Sequence, residues 1–327
     1  MQATLLSLDE LRRGPIWQEW RELARAAPPF LAPEMFALAR SLTDGGDVVV
    51  ATAREEDGRL AGVLPLVRRG HTLCPLRSDH SPGFDYCGSL EGVEAIWAML
   101  RDEPSWSELV LDKLPATSHL VAELTALAMV DNCPTIISDD PAHPYFALQG
   151  FAGRMNHKFK ANVVRCQRKA GDVVLERIAV PTEADLAEAL QIEALAWKAA
   201  AGTHIAADPR AVHMYRVLAR LYGRRGQAAL YFLRVAGKRV ATLFALEDRH
   251  TLYALKIGYD PSYASLPAGG RLAYSFPLAF GEAAEARFVR FAFVPLEGRG
   301  LGISELQVFE GVDVASWPQE IHLPGGP

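Results

Sequence analysis

A chain of 327 residues is long enough for two domains of ordinary size, each with its own hydrophobic core. Half of the residues are hydrophobic and 22% are charged, a globular composition that argues against long disordered segments. The net charge of −5 argues against a general affinity for nucleic acid, which needs a clustered excess of Lys and Arg.

The cysteine pattern and the N-terminal residues help to predict the cellular compartment. Four Cys are scattered without a CxxC pair, which is typical of a reducing compartment and gives no disulfide framework. Asp9 and Glu10 directly follow a short apolar patch, and a basic n-region is missing, so we expect no signal peptide. No apolar run reaches membrane-spanning length. We therefore expect a cytoplasmic protein without a membrane span.

The first half of the chain predicts two helices, then a hairpin. The opening segment is predicted to be helical with Trp17 and Trp20 on one face, and Pro33 begins a second helix. Two strand-like runs meet at Asp57-Gly58, a strong hairpin signal. After a polar, turn-rich stretch come a helix, a strand and a helix, in the segments "VEAIWAMLRD", "ELVLDKL" and "SHLVAELTALAM".

The second half predicts a similar order. A basic helix ends at Gly171, and a strand, two helices and a hairpin turning at Gly237 follow. A third strand, "HTLYALKIGYD", leads into a loop rich in turn formers and then a helix from about residue 269 to 286. The segment "FVRFAFV" is the last predicted strand.

Strands grouped in hairpins, with helices between the groups, predict an α+β fold with mixed, largely antiparallel central sheets flanked by helices. Turn residues concentrate between residues 134 and 153, so the domain boundary is expected there. We divide the chain into an N-terminal domain, 1–145, and a C-terminal domain, 146–327.

Four segments in the second half resemble a known family when they are taken in order: "FKANVVRCQRKAG", "EALAWKAAAG", "GKRVATLFAL" and "LKIGYDPSYASLPAGGRLAYS". They are similar to the bacterial acetyltransferase-like family named for the cellulose-biosynthesis protein CelD, which is related to the FemAB peptidoglycan aminoacyltransferases. The resemblance covers residues 15 to 295 and is best at Trp197-Lys198 and Gly258–Gly270.

The resemblance implies a fold and an activity. It implies two tandem GNAT-type (acyl-CoA N-acyltransferase) domains, of which the first is degenerate and the second carries an acyl-CoA loop. The implied reaction is transfer of an acyl group from acyl-CoA, acetyl-CoA or a longer chain, to a small-molecule or glycan-linked amine. The implied setting is envelope or exopolysaccharide biosynthesis.

The family places the coenzyme on the loop that follows the third strand of the second half. The predicted cofactor-binding residues are Pro267, Ala268, Gly269, Gly270 and Arg271. Backbone N–H groups at a helix start bind anions such as a pyrophosphate, and glycines allow the close approach. A tight strand-to-helix turn explains the same glycines, so both interpretations stay open.

Three residues near the end of that strand are the predicted catalytic groups. Asp260 would act as a base, Tyr263 as an acid, and Lys256 would assist them. The alternative for Asp260 is that it forms an Asx-type turn with the two residues after it. The alternative for Lys256 is an exposed strand lysine, since alternation puts it on the same face as Ala254 and Gly258.

Five further residues are predicted to bind the acceptor. The loop "RSDHSPGFDYCG" offers Asp79, His80, Asp85 and Tyr86 where related proteins carry an acidic loop that faces the cleft between domains. His80 is also a candidate general base, and a simple surface turn is the alternative for the whole loop. Lys198 either reaches the groove between the domains or favours the end of its helix.

A metal site is not expected. His71, Cys74, His80 and Cys87 are the nearest approach to a ligand set, but their spacings of three, six and seven match no common zinc motif.

Two other functions compete with the acyltransferase. Members of the family frequently end the second domain with a Tyr-Lys pair, whereas this chain has "FVRFAFVPLEGRGLGISEL". That departure favours a non-catalytic binding protein with the same fold. A FemAB-like transferase using aminoacyl-tRNA is the third candidate, with the basic helix "MNHKFKANVVRCQRKAG" as its tRNA contact, but the net charge of −5 counts against it.

Overall fold

The computed structural model describes residues 1–81, 83–115, 118–137, 145–147, 157, 161, 172–195, 202, 204–248, 251–263, 306–309 and 320–322. The chain separates into two compact units, Met1–Ala142 and His143–Pro327. The described residues contain two sheets together with helices, so the predicted α+β class is confirmed. The boundary at residue 145 and the assignment of both units as GNAT-type domains stay predictions.

The first unit holds a mixed sheet and five described α-helices. In chain order the elements are β1 (Gln2–Ser7), α1 (Leu8–Arg13), α2 (Ile16–Leu23), α3 (Pro33–Leu42), β2 (Asp47–Arg54), β3 (Leu60–Arg69), β4 (Thr72–Pro75), β5 (Cys87–Gly88), α4 (Leu90–Asp102), β6 (Glu108–Leu109) and α5 (His119–Val130). The strand order is β1-β2-β3-β4-β6, and β5 pairs with β3. Only β4 and β6 pair in parallel among these strands.

The helical prediction for the opening segment is wrong for its first residues. Strand β1 runs antiparallel to β2, from Gln2 opposite Arg54 to Ser7 opposite Val49. Helix α1 begins only after Ser7, because the Ser7 hydroxyl accepts the Glu10 N–H at 3.2 Å while Glu10 Oε2 accepts the Ser7 N–H at 2.7 Å. This capping box separates an edge strand from the helix that follows it.

The second unit is built around a longer sheet. Its described elements are β7 (Tyr145–Ala147), β8 (Val173–Ile178), α6 (Glu183–Leu195), α7 (Pro209–Arg224), β9 (Ala228–Val235), β10 (Lys238–Glu247), β11 (Thr251–Tyr259), β12 (Leu306–Phe309) and β13 (Glu320–His322). The order is β13-β8-β9-β10-β11-β12-β7, and among these described strands only β12 and β7 pair in parallel. Single turns of 3₁₀ helix lie at Ile205–Ala207 and Pro261–Tyr263.

Local sequence signals explain the ends of the elements in this unit. The β9–β10 hairpin turns at Ala236 and Gly237, whose φ angles of 49° and 80° are typical of a type I′ turn. Helix α7 begins after Asp208, whose carboxylate accepts the Arg210 N–H at 2.8 Å, and Pro209 occupies the first helical position. Helix α6 packs on β10 and β11, and α7 packs on β9.

A buried ion pair joins β8 to β10. Arg177 Nη2 donates to Glu247 Oε2 at 2.5 Å, and the two side chains are 6% and 0% exposed. Tyr231 of β9 donates its hydroxyl to Glu247 and accepts from Arg177 Nε at 3.3 Å. Burial raises the pKa of Glu247, and the Arg177 and Tyr231 contacts oppose that shift. The three side chains therefore satisfy one another inside the sheet.

Helix α6 lies close to β11 at Gly258. A Cβ placed on Gly258 would lie 2.3 Å from Glu193 Cα and 2.8 Å from Glu193 N, so only glycine is accommodated. Gly258 pairs with Thr242 of β10. This contact holds the backbone of Glu193 directly over the two strands.

Replacing Arg177 by Met should destabilise the protein by about 3–5 kcal/mol, because it leaves Glu247 buried without its cation. The loss should grow as the pH rises from about 4.3 towards neutral, since the folded state then holds a proton on Glu247 that the unfolded state releases. Urea unfolding at several pH values measures both effects. The double variant Arg177→Met/Glu247→Gln should recover part of the stability, and a single variant as stable as wild type would contradict the role of the pair.

Replacing Gly258 by Ala should cost up to about 3 kcal/mol of unfolding free energy, because the new methyl group collides with the backbone of α6. Gly226→Ala is the control, since the space around Gly226 is open and only its φ of 67° is unfavourable. That control should cost about 1 kcal/mol. Equal losses in guanidinium unfolding would show that α6 does not need a glycine at Gly258.

Candidate functional site

A small cavity of about 20 Å³, with room for about one water molecule, lies between α6, α7 and the sheet of the second unit. We call it the α6 pocket. Its lining residues are Leu186, Ala189, Leu190, Glu193, Ile205, Tyr215, Leu230, Thr242, Phe244 and Lys256.

Glu193 brings a buried carboxylate to this pocket. The residue is 2% exposed, and its Oε2 accepts the backbone N–H of Ile205 at 2.9 Å. A charge-assisted hydrogen bond to backbone fixes the side chain more firmly than solvent would. The Ile205 N–H therefore fixes one carboxylate oxygen of Glu193 in place.

Tyr215 of α7 lies in the same pocket and is fully buried. Burial raises the pKa of Tyr215 well above its usual value, and the negative charge of Glu193 raises it further. The hydroxyl therefore stays protonated at neutral pH and can donate a hydrogen bond. Its ring packs edge to face on Phe244, with centroids 5.1 Å apart.

Thr242 of β10 contributes a buried hydroxyl that makes no hydrogen bond to the described residues. The residue is 4% exposed, and its Oγ1 has no hydrogen-bond partner among the residues that the structure describes. A buried hydroxyl without a partner costs about 1–3 kcal/mol, so native proteins rarely keep one without a reason. In a pocket, that reason is commonly a bound molecule or water.

A β-bulge in β11 decides which side Lys256 faces. Lys256 lies opposite Phe244 and Ala254 lies opposite Ala245, which leaves Leu255 without a partner in β10. Neighbouring residues in β10 point to opposite faces, so the bulge puts Lys256 and Ala254 on different faces. The expectation that Lys256 shares a face with Ala254 was therefore wrong, whereas its shared face with Gly258 is confirmed by their partners Phe244 and Thr242. Lys256 is a half-buried residue of the α6 pocket.

The other two predicted catalytic residues belong to a separate cluster. Asp260 accepts the N–H and the hydroxyl of Ser262 at 3.0 and 2.6 Å, and it also accepts from Lys238 Nζ at 3.0 Å. These contacts, led by the Ser262 hydroxyl, lower the pKa of Asp260. The Lys238 ammonium also lies 5.2 Å from the centre of the Tyr263 ring. Asp260 thus makes the Asx-type turn, and the catalytic roles of both residues stay predictions.

The predicted acceptor loop lies between β4 and β5 of the first unit. Asp79 is exposed and His80 is half-buried. Asp85 accepts the Ser118 hydroxyl at 2.6 Å and the Tyr86 N–H at 2.8 Å. Burial raises the pKa of Asp85, and these hydrogen bonds oppose the shift.

Packing against three glycines accounts for the position of the Tyr86 side chain. Its hydroxyl donates to the Ser89 carbonyl at 2.9 Å. A Cβ added at Gly62, Gly88 or Gly92 would come within 1.8, 2.5 or 2.2 Å of that hydroxyl oxygen. Three glycines therefore make room for this side chain, and its acceptor-binding role stays a prediction.

The remaining predicted site residues, Lys198 and Pro267 to Arg271, lie outside the described residues. Within the described part of the chain, no group of three or more His, Cys, Asp and Glu side chains is arranged to hold a metal ion. In the same part, none of the helices combines the length and apolar character needed to cross a membrane.

The sequence prediction missed Glu193, Tyr215 and Thr242. A signal for Glu193 was present, because it follows Leu186 and Ala189 at intervals of seven and four on the buried face of α6. A charged residue at such a position is rare unless it is paired or functional. Thr242 gave no comparable signal, since threonine is common in buried strands.

Residues 157–294 match a family model described as "Acetyltransferase (GNAT) domain". That range contains α6, α7, β9, β10 and β11, and with them the whole α6 pocket. The narrower resemblance to the family named for CelD stays a prediction.

No curated protein matches the chain. Among solved structures, the chain is similar to a conserved protein of unknown function from Bacteroides thetaiotaomicron, with 18% identity and a TM-score of 0.47. The similarity covers 76% of this chain and 79% of the other.

Proposed function

We propose that the second unit is an acyl-CoA-dependent N-acyltransferase and that the α6 pocket holds the acceptor amine. The match of residues 157–294 to a GNAT acetyltransferase domain supports a general acyltransferase role. The observation that carries the assignment to this pocket is the buried Glu193 carboxylate inside the matched range. GNAT domains generally use acyl-CoA and a small amine.

Acyl transfer to an amine involves one proton transfer and two changes of charge on the thioester. The ammonium group must lose a proton, the carbonyl oxygen of the thioester becomes negative as the N–C bond forms, and the thiolate leaves as the C–S bond breaks. In our proposal Glu193 takes the ammonium proton. The Tyr215 hydroxyl and the Lys256 ammonium offer hydrogen-bond donors in the same pocket for the oxyanion and the departing thiolate.

Glu193 is better placed as the base than Asp260. Asp260 already accepts three hydrogen bonds, from Ser262 and Lys238, and those contacts lower its pKa. A carboxylate with a lowered pKa is a poorer proton acceptor. Asp260 and Tyr263 then serve the turn that leads out of β11.

For the coenzyme we keep the proposal made from the sequence. The backbone N–H groups of Gly269 and Gly270, with the charge of Arg271, would hold the pyrophosphate. The acceptor loop around Asp85, the glycan-linked acceptor and the envelope or exopolysaccharide setting are likewise proposals from the resemblance.

Calorimetry with the full-length protein should detect binding of coenzyme A and of at least one of acetyl-CoA and a long-chain acyl-CoA. Gly270→Asp should abolish that binding, because it places an anion against the pyrophosphate, and the circular dichroism spectrum should stay unchanged. Gly226→Ala is the matched glycine variant outside the loop and should bind normally. Absence of coenzyme binding by wild type would contradict the proposal. Salt-sensitive binding of aminoacyl-tRNA in its place would favour a FemAB-like transferase.

Replacing Glu193 by Gln should lower kcat at least about 100-fold, since a missing general base commonly costs that much. The Kd for coenzyme A should stay within about twofold of wild type. Release of free thiol from acetyl-CoA in the presence of primary amines measures the rate. Glu183→Gln makes the same change at an exposed position of α6 and should leave kcat unchanged. Full activity of Glu193→Gln would assign the proton transfer to another residue.

A further inference from the structure

Charge is divided unequally between the two units of the chain. Residues 1–142 contain 12 Lys and Arg against 22 Asp and Glu, whereas residues 143–327 contain 22 Lys and Arg against 17 Asp and Glu. The net charge of −5 for the whole chain is therefore the sum of an acidic first unit and a basic second unit. Such an asymmetry points to anionic partners for the basic half.

Helix α7 carries much of this positive charge on one face. Its sequence, "PRAVHMYRVLARLYGR", contains four arginines and one histidine but no Asp or Glu. All five of these side chains are exposed, and steps of three or four residues put them on one side of the helix: Arg210, His213, Arg216, Arg220 and Arg224. We call this face the α7 stripe. At 1.5 Å per residue it is about 21 Å long.

The opposite face of α7 packs against the protein. Five of its buried residues are Ala211, Met214, Tyr215, Leu218 and Ala219, and the helix contacts β9. This apolar face fixes the orientation of the helix, since turning it would expose the buried side chains. The fold therefore holds the α7 stripe on the surface.

The N-terminal half of the stripe is partly neutralised. Arg216 Nε lies 2.8 Å from a carboxylate oxygen of Glu183, and Arg210 Nη2 lies 3.3 Å from one of Asp208. All four side chains are between 39% and 69% exposed, so these are surface ion pairs that salt screens. Arg210 and Arg216 therefore add little net charge to the stripe.

The C-terminal half of the stripe keeps its positive charge. Within the described part of the chain, Arg220 and Arg224 form no ion pair or hydrogen bond through their side chains. The exposed guanidinium of Arg225 follows them and lies 5.9 Å from the centre of the Tyr222 ring. The helix dipole accounts for a cation in the last turn, such as Arg224, but Arg220 lies one turn earlier.

An exposed apolar side chain lies beside this end of the stripe. Val180, in the segment before α6, is 51% exposed. Helix α7 passes close to it at Gly223, where an added Cβ would lie 3.5 Å from Val180 Cα. Gly223 directly precedes Arg224. Cations next to an exposed apolar residue match the surface of a bilayer, where anionic headgroups lie above the acyl chains.

The composition of the stripe favours a bilayer over nucleic acid. Nucleic-acid sites combine phosphate-binding cations with amide side chains that read base edges, or with Tyr, Phe and Trp that stack on bases. Besides Pro209, the exposed positions of α7 carry only Arg and His. A bilayer needs no base-reading group, and it accommodates an exposed valine.

We propose that the α7 stripe docks the second unit on a lipid bilayer with anionic headgroups. In this arrangement Arg220, Arg224 and Arg225 contact lipid phosphates, and Val180 reaches the acyl boundary. The inference goes beyond the proposed function and does not depend on it, because it concerns the face of α7 opposite Tyr215. Attraction of cations to anionic lipid decays within a Debye length, so docking should be sensitive to salt.

Sedimentation of the full-length protein with sucrose-loaded vesicles, without coenzyme or amine, tests the proposal. Vesicles of phosphatidylglycerol and phosphatidylcholine in equal parts should bind the protein at least about tenfold more tightly than vesicles of phosphatidylcholine alone. Raising the salt from about 0.1 M to about 1 M should remove most of the binding, because the Debye length falls to about 3 Å. Equal binding to both kinds of vesicle, or binding to neither, would overturn the inference.

The double variant Arg220→Gln/Arg224→Gln should weaken binding to the anionic vesicles about 25-fold, since each cation near such a surface contributes about fivefold to the affinity. Arg220→Lys/Arg224→Lys should keep most of the affinity, because the charge remains. The Gln variant should unfold at the same urea concentration as wild type, because neither side chain has a described partner to lose.

Arg12→Gln/Arg13→Gln is the matched control. These two arginines are exposed in the last turn of α1 in the first unit, so the charge change is the same, and vesicle affinity should stay within about twofold of wild type. Equal losses in the two Gln variants, or undiminished binding of Arg220→Gln/Arg224→Gln, would remove the stripe from the account. Binding of an RNA duplex more tightly than vesicles, lost in the same variant, would assign the stripe to nucleic acid and overturn the bilayer.

Discussion

The contact between Gly258 of β11 and the backbone of Glu193 in α6 is the constraint on which the site depends. With 2.3 Å between a notional Cβ and Glu193 Cα, no larger residue leaves the helix where it is. With the helix this close, the Glu193 carboxylate is buried in the pocket wall, which Thr242 and Lys256 also line. The same contact therefore determines both how α6 packs on β11 and where the Glu193 carboxylate lies.

Buried polar groups in the second unit differ in whether the described residues satisfy their hydrogen bonds. Arg177, Tyr231 and Glu247 satisfy one another, and such a network ties strands together without offering capacity to a ligand. The α6 pocket differs, because Thr242 keeps a buried hydroxyl with no described partner. An unmet polar group lowers stability, and proteins accept that cost most readily where function needs it.

Much of the fold could be predicted from local signals. The Ala236-Gly237 turn, the Asp208-Pro209 helix start and the alternating strands of both hairpins depend on residues close together in sequence. Strand β1 was missed because its pairing with β2 involves residues about fifty positions away. A short apolar patch before a helix does not reveal such a partner.

The site was harder to predict because it depends on contacts between distant segments. The bulge at Leu255 moves Lys256 to the face that α6 covers, and its cause lies in the pairing of β10 with β11 rather than in the strand's own pattern. Asp260 attracted attention because it lies in a loop with tyrosines, yet its carboxylate is occupied by the turn. Glu193 lies in a helix whose remaining buried face is apolar, so its place in the pocket wall became visible only in the structure.

Mass spectrometry of the reaction mixture tests most directly whether this pocket acylates amines. Full-length protein, acetyl-CoA or a longer acyl-CoA, and a set of small primary amines should yield an N-acylated amine and free coenzyme A in equal amounts. Hydrolysis of acyl-CoA without any acylated amine, or no reaction with any of the amines, would contradict the assignment.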